Sequence, residues 1–159
     1  MNEFRVRVAD YAVAMGDAVI ATIGLGSCVA IVLYDAECRV GGLAHILLPS
    51  EGLSREVQNR AKFPATAVPL LLEQMRARGS RGPITAKIAG GASMFGALLP
   101  HGGINMGERN VEATRRVLGD ARLPLVAEDT GGDHGRSVYL YVQDGRVLVK
   151  SLKRGDRVL

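Results

Sequence analysis

Cys28 closes the string Thr22-Ile23-Gly24-Leu25-Gly26-Ser27-Cys28, and a thiol behind two glycines is suited to attack on a carboxamide or ester carbon. Glycines let a substrate approach the backbone, and consecutive amide groups in such a turn can point at a developing oxyanion. Gly26 and Ser27 are therefore candidate oxyanion or substrate-binding positions. The thiol must become a thiolate to attack, which calls for a neighbouring base, and histidine is the usual one. There are three histidines: His45, His101 and His134. Thr22, six residues before the cysteine, can exchange a hydrogen bond with an imidazole and fix its orientation, the third role in a catalytic triad.

The elements that must carry these residues favour His45. An apolar run at 19–23 reads as a buried strand, broken by Gly24 and Gly26. A second apolar stretch runs over 29–34, Asp35-Ala36-Glu37-Cys38 offers a turn, and 40–48 returns as a strand ending at Pro49. In that hairpin one arm starts beside Cys28 and the other carries His45, so the two lie across a ladder ~5 Å wide. His101 follows Pro100 in a stretch that reads as an exposed loop, and His134 sits in Gly131-Gly132-Asp133-His134-Gly135. Neither is placed by such an argument.

Elsewhere, Phe4, Val6 and Val8 alternate with Arg5 and Arg7, the period of a half-buried strand. Residues 61–78 have helical spacing closed by Gly79. Pro64 suits the start of that helix, whereas Pro69 requires either a later start or a kink. A strand at 84–89 ends in Gly90-Gly91, a second helix spans 110–118, and strands follow at 123–128, 136–142 and 146–152, the last two joined at Asp144-Gly145. Many strands with two intervening helices predict a mixed α/β or α+β layered domain over residues 1–159, with a mostly antiparallel or mixed sheet and two main helices.

The 159 residues suffice for one domain that buries roughly 70% of its unfolded surface. With no Trp and 4% aromatics, the core must rest on Val, Leu, Ile and Ala. Two cysteines are too few for a disulfide framework, and the opening MNEFRVRVAD lacks the pattern of a secretory leader, so a reducing cytoplasm is expected. The longest apolar runs fall far short of the ~18 residues a membrane span needs. A formal charge of +4 is spread among acids without an aromatic-bearing basic stripe, which argues against nucleic acid but leaves room for an acidic protein surface.

Other chemistries fit less well. Gly24 and Gly26 lack the third glycine of a dinucleotide fingerprint. Asp129-Thr130-Gly131 copies the aspartic-protease tripeptide, yet a single copy needs a symmetric dimer, and the stretch reads as a turn after a strand. Cys28 and Cys38 do not form a CxxC pair and the histidines are far apart, so no metal is expected. Cys38 has no base near it in sequence. By residue type alone, a cysteine leading into Val-Ala-Ile-Val is more often a small core hydrophobe than a nucleophile, and His45 among Leu and Ile is more often a satisfied buried histidine.

Ordered blocks along the chain alter that balance. They are Leu25-Gly26-Ser27-Cys28-Val29-Ala30 with Leu33-Tyr34-Asp35; Gly41-Gly42-Leu43-Ala44-His45 with Leu48-Pro49; Ala86-Lys87-Ile88-Ala89-Gly90-Gly91-Ala92 with Met94; Gly107-Glu108-Arg109-Asn110; and Glu128-Asp129-Thr130-Gly131-Gly132 with Gly135-Arg136. In this order, over residues 18–150, the chain resembles CheD, the chemoreceptor glutamine deamidase family of chemotaxis. Only the 98–103 stretch departs from the familiar pattern. The resemblance implies a catalytic Cys28, His45 and Thr22, no cofactor, chemoreceptors as substrate, and a fold like that of a glutamine-deamidating toxin domain. It also implies partnership with a CheC-like phosphatase, so a regulatory interaction module is the competing reading. Activity on free glutamine is a third.

Overall fold

The structure is a computed structural model that describes residues 1–93 and 105–159; His101 and the 98–103 stretch lie outside the described residues. Its central element is β4 (Val29–Asp35), apolar at nearly every position and therefore suited to burial on both faces. It pairs antiparallel with β5 (Val40–Ile46) on one side and with β6 (Ile84–Gly90) on the other. Outside β5 lies β2 (Tyr11–Met15), and β7 (Leu125–Thr130) runs parallel to β6. A second sheet has the order β1 (Asn2–Arg5), β3 (Ala18–Leu25), β8 (Arg136–Tyr141), β9 (Val147–Lys150) and β10 (Arg157–Val158).

Three layers follow from side-chain alternation. On β4, Ala30 and Val32 face the second sheet and pack with Ile20, Leu25, Val138 and Leu140. Val29, Ile31 and Leu33 face the opposite way, onto α1 (Pro64–Ala77) and α2 (Met106–Asp120) through Val68, Leu71, Met75, Val111 and Leu118. Strand β8 alternates between buried and half-buried, as befits a sheet with one covered face. Among the described residues the chain is thus a mixed α/β structure with two α-helices, its strands divided between two mostly antiparallel sheets.

Local departures from the sequence reading have identifiable causes. The strand expected over residues 4–8 stops at Arg5, and all four residues of β1 are exposed because it is an edge strand paired only with β3. Val6 then turns into the core while Val8 stays at the surface. Strand β2, rich in alanine, carries too weak an alternation to be read from sequence. Pro64 occupies the first turn of α1, and Pro69 lies within that helix. The carbonyl it leaves unbonded, on Ala65, belongs to an exposed residue, where water can satisfy it. The second helix starts four residues earlier than its apolar spacing suggests, because Asn105 caps it by accepting from the Glu108 amide at 3.1 Å.

The turn of the β4–β5 hairpin is held by a buried carboxylate. Asp35 accepts hydrogen bonds from Ser80 Oγ at 2.6 Å and from the amides of Cys38 (3.0 Å), Arg81 (3.1 Å) and Gly82 (2.8 Å). Burial pushes its pKa up, but the hydrogen bonds from Ser80, Cys38 and Gly82 outweigh that and hold it at about 2. A depressed carboxylate adds stability that is complete above the unfolded value near 3.9 and is lost as pH falls through about 2. Asp35→Ala should cost about 2–4 kcal/mol in denaturant unfolding, because a hydroxyl and three amides lose their acceptor. A change within ~0.5 kcal/mol would show that water replaces the carboxylate without penalty.

Candidate active site

The expected hairpin is present, and its register places His45 directly opposite Ala30. Both face the second sheet, and Cys28, two residues before Ala30, is packed on that same side. Cys28 and His45 are therefore diagonal neighbours across the ladder, a separation that side chains can bridge. No hydrogen bond joins the thiol to the imidazole at rest, and apo catalytic pairs are often loose until substrate binds.

Thr22, on β3 in the facing sheet, meets His45 from across the layer: its Oγ1 lies 2.7 Å from His45 Nδ1. The same Oγ1 lies 2.7 Å from the Val6 carbonyl oxygen. A carbonyl can only accept, so the hydroxyl proton goes to Val6, and Thr22 Oγ1 must accept from His45 Nδ1–H. This fixes the tautomer and leaves a lone pair on Nε2. That atom is buried and has no hydrogen-bond partner among the described residues. The connection between β1 and β2 also holds the histidine backbone: the Ala9 amide donates to the His45 carbonyl at 2.8 Å, and the His45 amide to the Asp10 carbonyl at 3.0 Å.

Strand β3 reaches its turn through a β-bulge. The pairing with β8 shifts between Thr22 and Leu25, and Gly24 adopts a left-handed φ of 80°. The extra residue lets both Thr22 and Leu25 point inward and delivers the chain to Gly26, Ser27 and Cys28. On the far side Gly90 passes so close that a Cβ there would lie 2.3 Å from the Cys28 carbonyl oxygen, which explains its glycine. The Gly91 amide donates to that carbonyl at 2.8 Å, and the Ala92 amide to the Gly26 carbonyl at 2.9 Å.

Electrostatically the pair is neutral at rest. Burial pushes the Cys28 thiol up, its own backbone amide opposing this in part. Burial also lowers His45 to about 4. His45 and Thr22 are sealed, whereas Cys28 keeps 8% of its surface accessible and is the most exposed of the three. The arrangement suits general-base activation, with Nε2 taking the thiol proton as attack begins, rather than a preformed thiolate–imidazolium pair.

The remaining sequence candidates divide. Asp129 and Thr130 end β7, where the Asp129 carboxylate is held by Arg136 Nε at 3.0 Å. The same guanidinium donates to the Gly131 carbonyl at 2.8 Å, tying β7 to β8 across the two sheets. His134 is in the loop between them, beside Asp133. Cys38 lies in the hairpin turn, its amide on Asp35. What sequence reasoning missed is the Val6 carbonyl, a backbone group that carries no residue-type signal.

A sequence model of the CheD family, described as chemotactic sensory transduction, matches residues 47–151. The chain belongs to the CheD family. It is 45% identical over 156 residues to a probable chemoreceptor glutamine deamidase CheD of Caldanaerobacter subterraneus subsp. tengcongensis, covering 98% of this chain and 96% of that one. A protein of the same name from Archaeoglobus fulgidus is 45% identical over 156 residues, with 98% and 97% covered. A probable chemoreceptor glutamine deamidase CheD 2 of Geobacter metallireducens is 47% identical over 155 residues, with 94% and 93% covered. The similarity to these relatives runs over nearly the whole chain, whereas the family model's match begins at residue 47, beyond Thr22, Cys28 and His45.

A buried histidine kept neutral also marks the acid stability of the fold. Its folded pKa of about 4 lies below the unfolded value near 6.5, so between these the unfolded chain binds the extra proton and stability falls as pH is lowered. NMR of the ring protons should show His45 still neutral at pH about 5 in the folded protein. A titration midpoint near 6.5 would mean that the imidazole is solvated and the relay open.

Proposed function

We propose that this CheD-family chain deamidates glutamine side chains of chemoreceptors, with Cys28 as nucleophile, His45 as general base and Thr22 orienting the imidazole. The observation that carries the reading is the Thr22–His45 hydrogen bond, which leaves a buried Nε2 lone pair on the face shared with Cys28. His45 Nε2 takes the thiol proton as Cys28 Sγ attacks the carboxamide carbon. The oxyanion formed is met by backbone amides in the turn at residues 26–28, so Gly26 and Ser27 act there through their main chain. When the tetrahedral species collapses, the C–N bond breaks and the imidazolium gives its proton to the departing ammonia. Water, deprotonated by the same nitrogen, then hydrolyses the thioester and leaves glutamate and a free thiol. These steps use side chains and backbone amides of this chain and water.

The product differs from the substrate by one negative charge. On a receptor helix that charge alters repulsion between packed helices and biases a signalling equilibrium. This reading puts the reaction at the cytoplasmic part of the receptors, where a reducing environment keeps the Cys28 thiol free; among the described residues no helix is long and apolar enough to cross a membrane. A CheC-like phosphatase belongs to the same reading as a docking partner rather than as an alternative to catalysis. Pulldown of such a phosphatase by Cys28→Ala would separate the two roles.

Receptor incubated with the protein should gain about one dalton at each modified glutamine, and Cys28→Ala should abolish the gain together with ammonia release. A mass shift that persists at the wild-type rate with Cys28→Ala would exclude the thiol as nucleophile.

A further inference from the structure

Asn110 is fully buried in the second turn of α2 and plays no part in the steps above. Its side-chain amide donates to two carbonyls from different elements, Ser27 at 2.9 Å and Leu47 at 3.1 Å. Its Oδ1 has no partner among the described residues. Turning the amide over would set Oδ1 against two carbonyl oxygens, so the observed orientation is the one electrostatics allows. Leu47 directly follows β5, two residues past His45, and Ser27 directly precedes Cys28. One amide therefore spans the mouth of the hairpin, between the segments that carry Cys28 and His45.

The Ser27 carbonyl matters because it belongs to the peptide unit whose N–H is that of Cys28. In a planar trans peptide C=O and N–H point in opposite directions, and no cis peptide occurs among the described residues. Holding the Ser27 carbonyl toward α2 turns the Cys28 N–H away from it, toward the Cys28 thiol, whose pKa that amide lowers. The flanking carbonyls of Gly26 and Cys28 are pinned by the Ala92 and Gly91 amides. Of three consecutive carbonyls, the middle one alone is held by a side chain.

We propose that Asn110 is a positioning residue that aims the Cys28 amide N–H at the oxyanion formed on Cys28. The inference rests on the reading of Cys28 as nucleophile. Without Asn110 the 27–28 peptide is free to rotate, and the donor leaves the reacting oxygen and the thiol, while the imidazole keeps its support from Thr22. Loss of one oxyanion donor lowers turnover far more than it lowers ground-state binding.

The test measures receptor deamidation by wild type, Asn110→Ala, Asn110→Ser and Cys28→Ala, together with the pH profile of Cys28 alkylation by iodoacetamide. In Asn110→Ala, kcat should fall about 10²- to 10³-fold with KM changed less than about threefold. Asn110→Ser, which retains one donor, should lose less; because the Cys28 amide also lowers the thiol's pKa, the alkylation midpoint should move up in Asn110→Ala while the limiting rate at high pH matches wild type. Should Asn110→Ala fail to fold, Asn110→Ser carries the same comparison. A wild-type kcat overturns the proposal. So does a fall in kcat matched by an equal fall in the limiting alkylation rate at high pH, since the thiol itself would then have been displaced. Full activity in Cys28→Ala removes the nucleophile and this proposal with it, whereas an inactive Cys28→Ala beside a fully active Asn110→Ala removes this proposal alone.

Discussion

The Thr22 hydroxyl has one proton, and the Val6 carbonyl, 2.7 Å away and able only to accept, takes it. Thr22 is thereby left as an acceptor for His45 Nδ1–H, and the imidazole presents its lone pair on Nε2, on the face it shares with Cys28. If the threonine donated to Nδ1 instead, Nε2 would carry the proton and could not serve as a base. A backbone carbonyl does here what the carboxylate does in a Ser-His-Asp triad as regards the tautomer, without adding a negative charge. Among the described residues no neighbouring anion then stabilises the imidazolium, in keeping with a histidine held at about 4.

Much of the fold serves this relay. Thr22 and His45 lie in different sheets, so their contact exists only because the two sheets pack face to face over Ile20, Leu25, Ala30, Leu43 and Leu140. The apolar layer that brings them together also desolvates Cys28 and His45, raising the thiol and lowering the imidazole. A neutral thiol–imidazole pair costs less to bury than an ion pair, and charge need appear only when substrate supplies the electrophile. The helices add a further constraint from the opposite side. Gly107, in the first turn of α2, sits so close to the 91–92 backbone that a Cβ would lie 2.3 Å from the Ala92 carbonyl oxygen. That close approach sets α2 against the turn at Cys28.

Much of this was legible in the sequence where a side-chain pattern carries the information. Continuous apolar character marked β4, the turn at residues 35–38 marked the hairpin, and the scarcity of histidines directed attention to His45. Strand β2, made of Tyr, Ala, Val, Ala and Met, was not legible, because its partner β5 rather than its own alternation makes it a strand. The strand at residues 4–8 was overextended, since alternation reports side-chain type and not where the edge pairing ends. Strand order depended on contacts between distant segments. The Val6 carbonyl left no trace at all, being common to every residue type. Asn110 stood within a recognisable block, but its two carbonyl acceptors belong to segments more than sixty residues away.

The protonation state of the two ring nitrogens of His45 is the most direct measure of the relay. Nitrogen-15 NMR of histidine-labelled protein near neutral pH distinguishes a protonated ring nitrogen from one with a free lone pair. The predicted spectrum has the proton on Nδ1 and a bare Nε2, and Thr22→Val, which removes the acceptor, should redistribute the tautomers. A proton found on Nε2 of the wild-type protein would contradict the relay and leave Cys28 without the base proposed for it.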